Sequence, residues 1–96
     1  MIVRIVKLSF HLENISAFKA IFESNKTDIN TQKGCIHLEL FQDVENPHIF
    51  FTFSKWDSET DLNTYRNSEL FHGIWGRTKK LFNAKPNAWS TKTIND

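Results

Sequence analysis

The fold is decided by one stretch, WDSETDLNTYRNSELF at positions 56–71, which joins a strand to two helices. The segment that leads into it, Ile49–Trp56, is mostly aromatic or β-branched, which is typical of a β-strand. Ser58 and Asp61 have the spacing of a helix-capping box, with Asp in place of the usual Glu or Gln, and Ser68 marks a second helix start. The stretch therefore predicts a strand that ends at Trp56, followed at once by a short helix and then a longer one.

The other predicted elements complete an alternating order of strands and helices. Asn14 is a good helix N-cap, and apolar residues recur at helical spacing from there until Gly34 supplies a stop. The sequence DVENP at positions 43–47 has turn chemistry, so the strands on either side of it are predicted to form a hairpin. The remaining strands are predicted at positions 2–10, 35–42 and 87–94. The order β-α-β-β-α-β predicts one α+β domain over residues 1–96, ferredoxin-like, with an antiparallel sheet.

The third strand carries a further prediction about assembly. Apolar side chains of Ile49–Trp56 fall on both faces of the strand, so both faces of the sheet need cover. The helices of a 96-residue chain can cover only one of them. The simplest cover for the other face is the same face of a second copy. We therefore expect a homodimer in which two sheets pack together.

Composition excludes several classes of partner. The net charge is +1, too small for a broad field that would hold nucleic acid or anionic lipid. Arg4 and Lys7 interrupt the apolar N-terminal run before a signal-peptide core can form, and the single cysteine, Cys35, cannot form an internal disulfide. We expect a cytoplasmic protein with no nucleic-acid or membrane partner. Its nine Phe, three Trp and one Tyr suggest a filled core together with a flat, apolar pocket or interface. The expected partner for such a pocket is a small aromatic or hydrophobic substrate.

The histidines give no metal-site signal. His11, His37, His48 and His72 show none of the spacings typical of metal ligands, so no metal is expected. His37 and Glu39 are two apart on a predicted strand and share a face, so they could act as a general base or as half of a metal site. The alternative, which we favour because buried polar groups ordinarily find partners, is a hydrogen-bonded pair inside a dimer core.

Trp56 and Tyr65 are the leading candidates for a binding site. Their rings could stack on an aromatic substrate while the indole N–H and the phenol hydroxyl orient it. Both could equally be core residues with a polar tip at the surface. Arg66 and His72 lie nearby at the helix ends, and solvent exposure is the simpler expectation for Arg66. Trp75 falls on an apolar helical stripe, which indicates a core position.

Three stretches together resemble the antibiotic biosynthesis monooxygenase (ABM) family. They are GCIHLEL at positions 34–40, the stretch 56–71 and KPNAW at positions 85–89. The resemblance implies a dimeric α+β barrel with a pocket between the sheet and the helices of each subunit. ABM-like proteins include cofactor-independent oxygenases of phenols and quinols, haem-degrading oxygenases, and proteins that act on small signalling molecules.

The chain departs from the family pattern at three places. Many members have a histidine where this chain has Tyr65, and haem-degrading members have one at about the position of Trp75. Those members also carry an asparagine in the first strand, whereas residues 5–7 read IVK. Without an axial histidine a haem site is not expected, and the expected cofactor is none.

Two functions from different classes remain open. The first is a small cofactor-independent monooxygenase that oxidises a quinol or polyphenol with O2. In it Tyr65 or His72 would be the proton acceptor or hydrogen-bonding partner, Trp56 the orienting ring, and His37 with Glu39 the second choice. The alternative is a non-catalytic dimer that binds a small hydrophobic metabolite or serves in a stress response.

Overall fold

The computed structural model describes residues 1–94, so residues 95 and 96 of the predicted domain lie outside the described part. The elements follow one another as β1 (Ile2–Ser9), α1 (Ile15–Asn30), β2 (Cys35–Gln42), β3 (Ile49–Trp56), α2 (Glu59–Arg66), α3 (Glu69–Lys79) and β4 (Asn87–Lys92). The strands form one antiparallel sheet in the order β2-β3-β1-β4. The predicted ferredoxin-like α+β fold is confirmed.

The two helix starts predicted after β3 have the expected caps. Ser58 Oγ accepts a hydrogen bond from the Asp61 backbone N–H at 3.1 Å, and Ser68 Oγ accepts one from the Phe71 N–H at 3.1 Å. Each serine satisfies a backbone donor that the first turn of its helix leaves without a partner. These caps let the chain leave β3 and enter α2 and α3 with only short connections.

The first helix differs from its prediction at both ends. Asn14 precedes α1, but its side chain makes no capping bond and instead donates to the Leu81 carbonyl at 3.2 Å. A short 3₁₀ turn at Leu12–Asn14 leads into the helix, and α1 ends at Asn30 rather than continuing to Gly34. The last strand also ends earlier than predicted, at Lys92.

The core lies between the sheet and the helices and is built on phenylalanine. Phe10 is fully buried and stacks on Phe18 with ring centroids 4.3 Å apart, and Phe50 meets Phe18 edge-on at 5.2 Å. Leu8 completes this cluster. Each such side chain contributes about 1.5–3 kcal/mol by leaving water, so the cluster anchors the helices to one face of the sheet.

The opposite face of the sheet, which we call the open face, has no cover among residues 1–94. Strand alternation places the side chains of Phe41, Phe51 and Phe53 there, opposite those that face the helices. Phe41 is 45% exposed and Trp89 of β4 is 48% exposed. A large apolar surface of this kind is typical of a face that packs against another protein.

Candidate functional site

A pocket of about 350 Å³ lies between the helix-covered face of the sheet and the helices. Most of its lining is apolar, from side chains of β1, β2 and all three helices, with Ala88 of β4 at one side. The size is in the range of cavities that hold small-molecule ligands, and the apolar lining favours a hydrophobic or aromatic one.

Tyr65 lines the pocket and is held in place by aromatic neighbours. Its ring stacks on Trp56, with centroids 5.2 Å apart and planes 20° from parallel, and meets Phe71 edge-on at 5.3 Å. Trp56 is 1% exposed, and its Nε1–H donates to Ser54 Oγ at 3.0 Å. Trp56 therefore lies behind Tyr65 and fixes the orientation of the tyrosine ring.

The protonation state of Tyr65 limits what it can do. Burial, with a smaller effect from Cys35, raises the pKa of Tyr65 to about 12. The phenol is therefore neutral at physiological pH and is a poor proton acceptor there. Among residues 1–94 its hydroxyl makes no hydrogen bond, so it can donate one to a ligand.

The structure separates the two predicted histidines from Tyr65 and Trp56. His72 is exposed on α3, where its ring lies 6.0 Å from Phe71, and it does not line the pocket. His37 lies on the open face, and its Nε2 is 2.6 Å from Glu39 Oε1, with both side chains about half exposed. A catalytic role for either histidine stays a prediction, and for His37 it would have to involve the open face.

Sequence reasoning missed Arg4 and Thr52 in the lining, whereas Arg66 was a nearby candidate expected to be solvent-exposed and is exposed in the structure. Arg4 and Arg66 both line the pocket, as do the hydroxyl-bearing Thr52 and Ser54 of β3. Arg4 is on the same face of β1 as the core residue Leu8. Strand alternation places the two residues on one face but does not show that this face meets the pocket. Burial and then the charge of Arg66 lower the pKa of Arg4. The pocket thus combines an apolar interior with a neutral phenol and two guanidinium groups.

Comparison with known proteins identifies the family. The family model for antibiotic biosynthesis monooxygenase matches residues 1–74. The chain belongs to this family. None of the curated proteins compared with the chain matches it.

Solved structures share the ABM fold at low sequence identity. A crystal structure described as an antibiotic biosynthesis monooxygenase superposes with a TM-score of 0.91 at 15% identity, covering 98% of this chain and 99% of that one. A conserved protein from Methanosarcina mazei gives 0.90 at 22% identity, with 96% and 92% covered. A protein from Mycobacterium tuberculosis gives 0.90 at 15% identity, with 99% and 96% covered. At such identities these similarities show the fold alone.

Two further observations bear on what this ABM-family chain can bind. Within residues 1–94, no three His, Cys, Asp or Glu side chains cluster closely enough to hold a metal ion. No helix in the same range has the length and apolar character needed to span a membrane.

Proposed function

We propose that this ABM-family chain is a small monooxygenase that oxidises an electron-rich phenol, quinol or related aromatic with O2, without a metal or organic cofactor. The observation that carries the proposal is the apolar pocket of about 350 Å³ with the Tyr65 hydroxyl at its wall. Family membership supports the reaction type, and the lining supports an aromatic substrate.

The chemistry needs no external reductant. Oxidation of anthrone shows the balance: its CH2 group becomes a carbonyl and loses four electrons, one oxygen atom of O2 enters the product, and the other leaves as water. The protein has to favour the substrate anion, hold it against O2 and keep bulk water away. Tyr65, as a neutral donor, would hydrogen-bond to the oxygen on which negative charge develops.

We also propose that the working form is a cytoplasmic homodimer of one domain that spans residues 1–96. The apolar open face supports the dimer, because Phe41 and Trp89 are about half exposed in the single chain. β4 lies beyond the residues matched by the family model, yet it pairs with β1 over six residues, which supports one domain. The lone Cys35 fits a reducing compartment.

The test is turnover of anthrone and of a reduced naphthoquinone, followed as O2 uptake by protein treated with a chelator. Ala88→Trp should lower turnover about ten-fold or more, because the indole would occupy the side of the pocket. Ala20→Trp, on the exposed surface of α1, is the matched control and should retain activity.

Two outcomes would count against the enzyme. No substrate-dependent O2 uptake by the folded wild-type protein would favour the non-catalytic binding protein instead. Equal turnover by Ala88→Trp and wild type would show that any oxidation takes place outside the pocket.

A further inference from the structure

The charged residues that line the pocket are both arginines. Arg4 is the third residue of β1, and Arg66 is the last residue of α2. Among residues 1–94, no Asp, Glu, Lys or His lines the same pocket. We call Arg4 and Arg66 the arginine pair. An apolar cavity with two cations and no anion on its wall is electrostatically unbalanced.

The arginine pair lacks a compensating acid within the described residues. The ion pairs found there join Lys26 to Glu23 and His37 to Glu39, and neither includes Arg4 or Arg66. The partner of the Arg4 guanidinium is neutral, because Nη1 donates to Ser90 Oγ at 2.9 Å.

The favourable interaction of a cation with a helix C-terminus explains the position of only one of the two arginines. Arg66 is in the last turn of α2, where a cation interacts favourably with the helix dipole. Arg4 is on a strand, is partly buried and has no such reason to be there. Burial and the nearby Arg66 charge both disfavour its charged form, yet a guanidinium stays protonated in proteins. The free-energy cost of holding this charge beside an apolar cavity would be offset by an anion bound between the two arginines.

We propose that Arg4 and Arg66 form an anion subsite of the pocket, and that its ligand is a largely apolar aromatic molecule bearing one ionised oxygen group. A guanidinium presents a planar set of N–H donors that matches a carboxylate or an ionised phenol or enol. The lining contains no carboxylate or imidazole to accept a proton within residues 1–94. By stabilising the anion, the arginine pair would favour binding of the ligand in its ionised form, with its proton already released to bulk water, so no dedicated base in the pocket is needed. The role of the arginine pair in ionising a substrate rests on the proposed function, whereas the binding of an anion by the pair does not.

The direct test is binding of matched ligands that differ only in charge. Naphthoate and naphthamide, substituted at the same ring carbon, give a carboxylate and its neutral counterpart. Lawsone, a hydroxynaphthoquinone ionised at neutral pH, and its neutral methyl ether give the corresponding enolate pair. Calorimetry should show that the wild-type protein binds at least one anion about ten-fold more tightly than its neutral partner. That preference should shrink as salt is added. Comparing the two pairs shows whether a carboxylate or an ionised ring oxygen is preferred.

Substitutions of the two arginines test whether they cause the preference for the anionic ligand. Arg4→Gln and Arg66→Gln should each remove most of the preference for the anion and leave binding of the neutral ligand within about two-fold. Arg77→Gln is the control, because Arg77 is exposed on α3 and does not line the pocket. Arg4→Lys should restore part of the preference by restoring the charge. If Arg4→Gln does not fold, the exposed Arg66→Gln still provides the test.

The outcomes separate this inference from the proposed function. Equal affinity of wild type for both members of each pair, or binding of neither, would overturn the anion subsite. The same holds if Arg77→Gln weakens anion binding as much as Arg66→Gln does. Turnover of anthrone with no preference for anions would leave the monooxygenase standing and the subsite refuted. Selective anion binding without O2 uptake would support the anion subsite and refute the monooxygenase.

Discussion

At the scale of single residues, Tyr65 links packing to chemistry. Trp56 behind it and Phe71 beside it hold the phenol at the pocket wall, and burial keeps the phenol protonated. Tyr65 is therefore better suited to donate a hydrogen bond than to accept a proton.

Removing the Tyr65 hydroxyl should affect turnover far more than stability. Tyr65→Phe should lower turnover of a quinol or anthrone about ten-fold or more, as loss of a donor to a developing oxyanion typically does. Because the hydroxyl has no hydrogen bond among residues 1–94, the free energy of unfolding should change by less than about 1 kcal/mol. Thr64→Ala removes a hydroxyl from the exposed side of the same helix and should change neither quantity. Undiminished turnover by a stable Tyr65→Phe protein would leave Tyr65 a packing residue.

The raised pKa of Tyr65 also predicts a dependence of stability on pH. The folded-state pKa is about 12, against a model-compound value of 10.0, so folding favours the neutral phenol. The corresponding stability is fully present below about pH 10 and is lost as the pH rises through about 12. Tyr65 is the single tyrosine of the chain, so tyrosinate absorbance reports it directly. A midpoint near 10 in the folded protein would contradict the buried, neutral phenol.

At the scale of elements, the turn before β2 depends on Gly34. Its φ is +82°, a conformation that side chains disfavour, and an added Cβ would collide with the side chain of Asp61. The Gly34 carbonyl also accepts a hydrogen bond from Asp57 N–H at 2.8 Å, which ties this turn to the start of α2.

Alanine substitutions at two glycines should therefore have opposite effects. Gly34→Ala should lower the free energy of unfolding by about 1–3 kcal/mol, through backbone strain and the contact with Asp61. Gly73→Ala, inside α3 with open space around the new Cβ, should raise it by about 0.5–1 kcal/mol. Chemical denaturation of both variants checks this. A Gly34→Ala protein as stable as wild type would show that the turn can relax.

Local chemistry explains which elements the sequence predicts well. Ser58 and Ser68 act within one helical turn, so their capping role can be read from neighbouring residues, and the structure has both caps. Asn14 satisfies the same local rule, but its side chain is drawn to the Leu81 carbonyl, 67 positions away. Such a contact exists only once the chain has folded, so no local pattern could have indicated it.

The candidate site likewise contains residues whose proximity follows from the sequence and one residue whose place is set only by the assembled sheet. Trp56 and Tyr65 lie close to each other along the chain, and in the structure their rings stack on each other. The sequence predicted instead that both rings would stack on a substrate, and that role stays a prediction. Arg4 enters the pocket because β1 lies in the middle of the sheet with its even-numbered side chains towards the helices. Alternation predicts two faces of the strand, but only the assembled sheet shows which one meets the pocket.

At the scale of the whole molecule, the open face should be a dimer interface. The expected mass at micromolar concentration is twice 11.3 kDa, with a buried area of about 2,000 Å² or more in total. Phe53→Glu would place a charge in the middle of that face and should give monomers, because an unpaired charge in an apolar interface is strongly unfavourable. Val44→Glu, at a position 97% exposed in the β2–β3 turn, is the control and should remain dimeric. Light scattering that shows a wild-type monomer would refute the dimer.

The central claim is oxygenation of an aromatic substrate in the pocket, and isotope incorporation tests it most directly. Chelator-treated protein would be given anthrone under dioxygen labelled with the heavy isotope, with Tyr65→Phe and Ala88→Trp in parallel. The account predicts one labelled oxygen atom in each product quinone, formed faster by wild type than by either variant. Unlabelled product, or labelled product formed no faster than without protein, would contradict it.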